Sequence, residues 1–199
     1  MKVLIIYCHP SGDSFTAEIK KSFVEGLEKA GHSHEISDLY AMGFDPVFSE
    51  NEYRREAFYD GEMEIPADVA AEQRKIEWAQ VIVFIYPVFW TEAPAMLTGW
   101  FQRVWTYGYA YGDAARMKQL EKALFLVTMG GSSKDAVRQR QIEAMKTVML
   151  GDRIHDRAKE SEMLIFDEMT RGYGNDGNRE ERFEKFKAQA FQKATELSL

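Results

Sequence analysis

The 199-residue sequence has a single cysteine, Cys8, and only four histidines. One cysteine excludes a disulfide framework within the chain. The histidines are scattered without the spacing of metal ligands, so we expect no metal site. The formal net charge of −7 lacks the basic excess that nucleic acids and anionic membranes attract. These absences argue against a disulfide scaffold, a metalloprotein and a nucleic-acid-binding protein.

Long hydrophobic runs are also missing. The longest one, Val81–Trp90, is far shorter than the roughly 20 residues that a membrane span needs. The apolar run in the N-terminal segment MKVLIIYCHP is too short for a secretory signal, and no small-residue cleavage site follows it. We therefore expect a cytoplasmic protein without membrane insertion.

Three common motifs of nucleotide binding and catalysis are absent. No G-x-G-x-x-G follows the first apolar run, and there is no phosphate loop of the form G-x-x-x-x-G-K-S/T. The G-x-S-x-G nucleophile elbow of hydrolases is missing as well. Dinucleotide binding in the Rossmann manner, P-loop chemistry and serine hydrolysis are thus disfavoured.

Short apolar runs alternate with amphipathic segments along the chain, and we expect one domain over residues 1–199. The runs predict five strands, at Val3–Tyr7, His34–Leu39, Val81–Pro87, Lys122–Met129 and Met163–Met169. Five helices alternate with them, and the charged segment 40–66 is expected to be irregular. Right-handed crossovers then predict a three-layer, doubly wound parallel sheet with the flavodoxin-like strand order 2-1-3-4-5.

In such a sheet, ligands bind at the carboxyl ends of the strands, where three loops should converge. The loop His9–Thr16 precedes a helix, and its hydroxyls, imidazole and free N–H groups suit an anion. Large flat side chains in the loop Pro87–Ala93 suit an aromatic ligand. The glycines in Thr128–Ser132 permit close approach of a ligand to the backbone. Each loop also has a purely structural interpretation: helix capping by Asp13 or Ser14, core packing by the aromatic residues, and a tight turn at the glycines.

Several motifs together resemble a known family. They are His9-Pro10-x-x-x-Ser14-Phe15, the long match Tyr86-Pro87-Val88-Phe89-Trp90-x-x-x-Pro94-Ala95-x-Leu97-x-Gly99-Trp100-x-x-Arg103-Val104, and Tyr107-Gly108-Tyr109-Ala110-Tyr111-Gly112. This pattern resembles the flavodoxin-like NAD(P)H:quinone oxidoreductases, namely DT-diaphorase and its bacterial relatives. The resemblance spans most of the first two-thirds of the chain.

The resemblance implies a homodimeric flavoenzyme with its active site at the subunit interface. It would bind FAD, with FMN as the alternative, and use NAD(P)H as co-substrate in a ping-pong hydride transfer to a quinone or similar acceptor. The flavin phosphates and ribityl chain would contact His9, Ser14, Phe15 and Thr16. The flavin ring would lie along Pro87, Val88, Phe89, Trp90 and Thr91, with its pyrimidine edge at Thr128, Met129, Gly130 and Gly131. As catalytic residues, Trp90 and Tyr111 would wall the acceptor pocket, while Gly130 and Gly131 would stabilise the reduced flavin.

The sequence departs from the family after the fourth strand. Met129 stands where the classical enzyme has a second threonine, so a hydroxyl is lost. A tyrosine and a histidine that manage flavin charge in better-known members correspond here to Ala136 and Ile142. His155 is nearby in sequence, but a surface position at a helix end is the expectation for it. The tyrosine and histidine that form the family's proton relay are therefore replaced here by side chains that cannot transfer protons.

A second class of function stays open at this point. In this alternative, the chain is a non-catalytic flavoprotein, either an electron carrier or an accessory subunit that regulates a membrane transporter. A carrier should have a short, hydroxyl-rich phosphate loop and an exposed flavin edge, whereas this sequence has His9-Pro10 and an aromatic-walled pocket. Sequence alone does not separate the accessory subunit from the enzyme.

Overall fold

The structure, a computed structural model, describes residues 1–172 and 176–198 and contains a five-stranded parallel sheet. Its strand order is β2-β1-β3-β4-β5, as the sequence predicts. The strands are β1 (Lys2–Tyr7), β2 (Ser33–Asp38), β3 (Val81–Pro87), β4 (Leu120–Thr128) and β5 (Ala158–Phe166). All seven residues of β3 are buried, because helices cover both faces of the sheet beside this central strand. The predicted fold class is confirmed.

Six α-helices accompany the sheet in the described residues. They are α1 (Phe15–Lys29), α2 (Glu50–Ala57), α3 (Ala67–Trp78), α4 (Ala95–Val104), α5 (Ala136–Lys146) and α6 (Arg179–Thr195). On one face of the sheet, Phe23 of α1 and Ala190 of α6 pack against Val83. On the other face, side chains of α3 and α4 cover Phe84, whose ring stacks on that of Phe125 at 4.7 Å. The alternation of side chains along β3 therefore supplies both cores of a three-layer fold.

The segment 40–66 was expected to be irregular, and this expectation is wrong for α2. Ser49 accepts a hydrogen bond from the Glu52 N–H, and the Glu52 carboxylate accepts one from the Ser49 N–H, which completes a capping box. The buried positions of this helix are Glu52 and Arg55, both charged. Because the helix buries ion pairs instead of an apolar stripe, hydrophobic periodicity gives no signal for it.

The C-terminal boundaries also differ from expectation. β5 was predicted at Met163–Met169, but it begins at Ala158 and ends at Phe166. Its first half is the polar run Lys159–Glu162 at an exposed edge, which an apolar search overlooks. The helix expected to run to about Leu150 ends as α5 at Lys146 and continues as a π-helical segment, Thr147–Ile154. The strand end that borders the ligand cleft is consequently Phe166, three residues earlier than predicted.

No helix within residues 1–172 and 176–198 combines the length and apolarity needed to cross a bilayer. In the same part of the chain, no three His, Cys, Asp or Glu side chains are grouped as metal ligands.

Candidate active site

An open cleft lies at the carboxyl ends of β1, β3, β4 and β5. The loops that leave these strands line it, with His9, Phe15, Thr16, Pro87, Val88, Phe89, Thr128, Met129, Gly130, Met169 and Thr170. Its walls are mixed: hydroxyls, an imidazole and backbone groups on some sides, and aromatic, proline and methionine side chains on others. This position, beside the reversal of strand order between β1 and β3, is where open α/β sheets bind ligands.

The loop after β1 presents the beginning of α1 to the cleft. Ser14 is the N-cap, and its hydroxyl accepts a hydrogen bond from the Ala17 N–H at 3.1 Å. The His9 Nδ1 atom lies 3.0 Å from the Ser11 nitrogen and 2.9 Å from the Ser11 carbonyl oxygen, so it accepts from the N–H in one tautomer and donates to the carbonyl in the other. Partial burial lowers the pKa of His9, against a smaller opposing effect of the Ser11 hydrogen bond. His9 is therefore mainly neutral at pH 7 and offers a hydrogen-bonding ring instead of a fixed charge.

Two threonine hydroxyls connect α1 to β4 beneath this loop. The Oγ1 atoms of Thr16 and Thr128 are 2.7 Å apart, and the two residues are 2% and 5% exposed. A buried hydroxyl that lacks a partner is costly, so this pair fixes the first helical turn of α1 relative to the β4 strand end. The anion-compatible helix start and the glycine loop are thus held side by side.

The loop after β3 forms a tight two-residue turn at Trp90 and Thr91. Phe89 and Glu92 exchange backbone hydrogen bonds of 2.9 Å in both directions, while Trp90 and Thr91 have φ values of 52° and 69°. Positive φ is unusual for a tryptophan and strained for a β-branched threonine. The turn leaves Trp90 98% exposed. Such strain is typical of functional sites, where the surrounding structure enforces it.

The loops after β4 and β5 are joined to each other. The Met129 N–H donates to the Phe166 carbonyl oxygen at 2.9 Å, and the Ser133 N–H donates to the Asp167 carboxylate at 2.6 Å. A methyl group on Gly130 would lie only 2.0 Å from Thr170 Oγ1, so the close approach of the two loops requires glycine. Backbone groups of Gly130 consequently border the cleft without a side chain in between.

The cleft brings together nine of the residues predicted from sequence: His9, Phe15, Thr16, Pro87, Val88, Phe89, Thr128, Met129 and Gly130. Ser14 and Gly131 are their chain neighbours at its border. Trp90 and Thr91 line a second cavity together with Met145 and Met149. The roles assigned to all these residues stay predictions.

Tyr111 lies apart from Trp90 within one chain. It lines a third cavity with Met117 and Arg157. Its hydroxyl donates to the Glu56 carboxylate at 2.5 Å, and the same carboxylate oxygen accepts from the Tyr107 N–H at 2.8 Å. Burial and the Glu56 carboxylate both raise the pKa of Tyr111, so its hydroxyl keeps its proton. Within one chain, Trp90 and Tyr111 therefore line different cavities.

Met169 and Thr170 line the cleft but were not identified from sequence. For Met169 the reason is the misplaced fifth strand, because the predicted strand Met163–Met169 includes it. Thr170 follows that predicted strand directly, and no motif marks it. Ending that strand at Phe166 would have left Asp167 to Thr170 as a fourth loop at the carboxyl edge of the sheet.

Comparisons with known proteins identify the fold family. A family model described as a flavodoxin-like fold matches residues 1–153. Over 148 residues the chain is 37% identical to NAD(P)H dehydrogenase [quinone] 1 of Cavia porcellus, covering 66% of this chain and 54% of that protein. It is 34% identical to ribosyldihydronicotinamide dehydrogenase [quinone] of Mus musculus, covering 67% of this chain and 65% of that protein. The chain thus spans little more than half the length of the first of these relatives.

A solved structure is similar over nearly the whole chain. It is the NAD(P)H:quinone oxidoreductase from Methanothermobacter marburgensis, with a TM-score of 0.90 and 38% sequence identity. The match covers 98% of this chain and 96% of that one. Family model, sequence relatives and structural neighbour agree with the motifs at the cleft. The chain belongs to the flavodoxin-like NAD(P)H:quinone oxidoreductase family.

Proposed function

We propose that this protein is a flavin-dependent oxidoreductase that passes a hydride from NAD(P)H, through a bound flavin, to a quinone or similar two-electron acceptor. The observation that carries the proposal is the cleft, which combines anion-compatible donors with flat apolar walls at the carboxyl edge of the sheet. The family relationship supports the same activity. We further propose FAD as the flavin, with FMN as the alternative, and a cytoplasmic location.

Three groups of residues around the cleft would contact three parts of a flavin: the phosphates, the ribityl chain and the ring. The N-cap region of α1, with His9 and Ser14, would bind the phosphate groups, because N–H groups and the helix dipole favour negative charge there. Phe15 and Thr16 would contact the ribityl chain. Pro87, Val88 and Phe89 would lie along the ring, and Thr128 to Gly131 would face its pyrimidine edge. When bound, the flavin would supply the chemistry of accepting and returning a hydride.

The protein's own contribution is binding, orientation and charge placement. Backbone N–H groups of Gly130 and Gly131 would donate to the ring edge where negative charge accumulates on reduction. Such donors are fixed before the reaction, since the β4 and β5 loops are hydrogen-bonded to each other. The exposed Trp90 would cover the ring and exclude water from the hydride path.

We propose that two copies of the chain complete the site and that NAD(P)H and the acceptor use it in turn, in a ping-pong mechanism. In support, Trp90 is almost fully exposed in one chain, and Tyr111 lines a different cavity. A second copy would bring its Tyr111 opposite Trp90. Helix α4 would contribute to the interface between the copies.

The first test is spectroscopic. Extracted cofactor is identified by mass, and the flavin-loaded protein is titrated anaerobically with NADH and NADPH before an acceptor screen. Parallel lines in a double-reciprocal plot support ping-pong kinetics, and converging lines oppose it. A bound flavin that neither nicotinamide bleaches would instead favour a non-catalytic flavoprotein.

Trp90→Ala tests the assignment of the acceptor pocket. Trp90 has little packing to lose, because it is 98% exposed. We expect stability within about 0.5 kcal/mol of the wild type, flavin affinity within a few-fold, and a kcat/KM for quinone at least tenfold lower. Loss of flavin retention with unchanged acceptor kinetics would contradict this assignment.

A further inference from the structure

Arg138 lies against the glycine loop at the border of the cleft. It belongs to the first turn of α5, and its guanidinium folds back towards Gly131. A methyl group placed on Gly131 would lie 3.2 Å from Arg138 Nη2 and 3.5 Å from Nε. Gly130, the neighbouring residue, lines the cleft directly. A positive charge thus lies next to Gly131, whose backbone N–H is one of the two donors proposed for the flavin ring edge.

The position of this arginine is unfavourable for the helix itself. Asp135 is the N-cap of α5, and its Oδ1 accepts from the backbone N–H groups of Val137 and Arg138 at 2.9 and 3.0 Å. A cation in the first turn opposes the helix dipole. In the part of the chain that the structure describes, the Arg138 side chain has no hydrogen bond or ion pair to offset this. Local stability therefore does not explain its placement.

Two other cations lie near the loop: Lys134, which follows it in the chain, and Arg182 of α6, which donates to the Glu168 carbonyl oxygen. The three atoms nearest to a methyl group on Gly131 nevertheless all belong to the Arg138 guanidinium group. Ala136 and Ile142, which occupy the positions of the family's tyrosine and histidine, carry no titratable group. The Asp167 carboxylate is bonded to the Ser133 N–H, and it adds negative charge. Reduction of a flavin by hydride brings two electrons and one proton, so negative charge develops on the ring at the edge that faces the glycines. A nearby cation favours that form.

We propose that Arg138 stabilises the reduced flavin electrostatically, in place of the missing tyrosine and histidine. This proposal rests on the proposed function, because it needs a flavin in the cleft. It goes further by assigning the control of the flavin's reduction potential to one residue of this chain. Arg138 acts on the reduced state much more than on the oxidised state, whose ring edge carries little charge.

The test compares Arg138→Gln and Arg138→Lys with the matched control Arg140→Gln. Arg140 is exposed, lies two residues further along α5 and therefore points away from the Arg138 face. Both glutamine variants lose one positive charge from the same helix. The measurements are the dissociation constant of the oxidised flavin and its two-electron midpoint potential, with dithionite as reductant and a reference dye.

We expect Arg138→Gln to change oxidised-flavin affinity less than threefold and to weaken reduced-flavin affinity by about tenfold more than oxidised-flavin affinity, the effect of one partly exposed charge. Tenfold corresponds to a midpoint potential about 30 mV lower for a two-electron couple. Arg138→Lys should recover most of this difference, and Arg140→Gln should match the wild type.

An unchanged potential in Arg138→Gln would overturn the proposal. Equal weakening of both oxidation states would also overturn it, since Arg138 would then contribute only to flavin binding. Because dithionite replaces NAD(P)H, the potential is measured even if the proposed oxidoreductase activity fails. A wild-type protein that binds no flavin would overturn both proposals together.

Discussion

The ligand cleft and the segment 40–66 are positioned by opposite kinds of interaction. The cleft is formed by loops that leave strands of buried apolar residues, and β3 is buried throughout. The segment 40–66 is fixed mainly by charged side chains. Arg103 of α4, 5% exposed, donates to the Glu52 carboxylate at 2.7 Å, to Asp68 at 2.6 Å and to the Asp45 carbonyl oxygen at 2.7 Å.

Arg55 repeats this arrangement within the segment. Its guanidinium is 2% exposed and donates to the carbonyl oxygens of Met63 and Gly61 and to Glu56. Glu56 in turn accepts from Tyr111, so the ionic network extends to a proposed pocket residue. Apolar burial thus positions the cleft proposed for the flavin, whereas buried charge positions Tyr111, which is proposed to wall the acceptor pocket. The two can be disrupted separately.

The largest loss of folding stability is expected from Arg103→Met. Removing one partner of a buried ion pair leaves the buried Glu52 carboxylate without a counter-charge, which costs about 3–5 kcal/mol. Urea denaturation measures the loss. Lys146→Met is the matched control: Lys146 pairs with the exposed Glu143, and we expect a loss of about 0.5 kcal/mol or less. Equal losses in the two variants would contradict the difference between the regions.

The pH dependence of the same variant sharpens this comparison. Partial burial raises the pKa of Asp68, but the hydrogen bonds and charge of Arg103 outweigh it and hold the pKa below its usual value. The stabilisation from a lowered carboxyl pKa is present above the unfolded-state pKa of about 3.9 and is lost as pH falls through the folded-state value. The stability gap between the wild type and Arg103→Met should therefore narrow below about pH 4.

In the cleft, Gly130→Ala should cost about 1–3 kcal/mol of stability by overpacking and at least tenfold in flavin affinity. The new methyl group would lie 2.0 Å from Thr170 Oγ1 and force the β4 and β5 loops apart. Flavin fluorescence titration measures the affinity. Adding Thr170→Ala removes the nearest atom and should restore part of both losses. No rescue would mean that the glycine is needed for another reason.

A stability loss of similar size is expected beneath the cleft. Thr16→Val leaves the Thr128 hydroxyl buried without its partner, which costs about 1–3 kcal/mol. The double variant with Thr128→Val should be more stable than the sum of the single losses predicts, by a coupling energy of about 1 kcal/mol. Chemical denaturation of the four proteins gives this energy. Strict additivity would show that the hydroxyls do not interact.

The smallest change in folding stability is expected at the strained turn of Trp90 and Thr91. Thr91→Gly removes a positive-φ cost of about 1–2 kcal/mol and adds a glycine entropy cost of about 0.5–1 kcal/mol. We therefore expect a net gain in stability of about 0 to 1.5 kcal/mol. Thr98→Gly, inside α4, should instead lose about 0.3 kcal/mol, the difference between threonine and glycine in helix propensity. A loss at Thr91 as large as that at Thr98 would argue against strain in the turn.

Sequence patterns predict the regions that apolar burial positions better than the regions that buried charge positions. Apolar runs locate the strands, and with the right-handed crossover rule they predict the strand order and the three loops of the cleft. They do not locate α2, because its buried side chains are Glu52 and Arg55, nor the polar first half of β5. The predicted fifth strand ended three residues too late, so Met169 was not identified as a loop residue of the cleft. The separation of Trp90 from Tyr111 depends on tertiary packing, which no local pattern encodes.

The most direct test of the central claim is anaerobic titration of the flavin-loaded protein with NADH and with NADPH, followed by absorption spectroscopy. We predict that one equivalent of at least one nicotinamide bleaches the visible flavin band and that added quinone restores it. A stably bound flavin that stays oxidised in both titrations, yet is reduced by dithionite, would contradict the proposed activity.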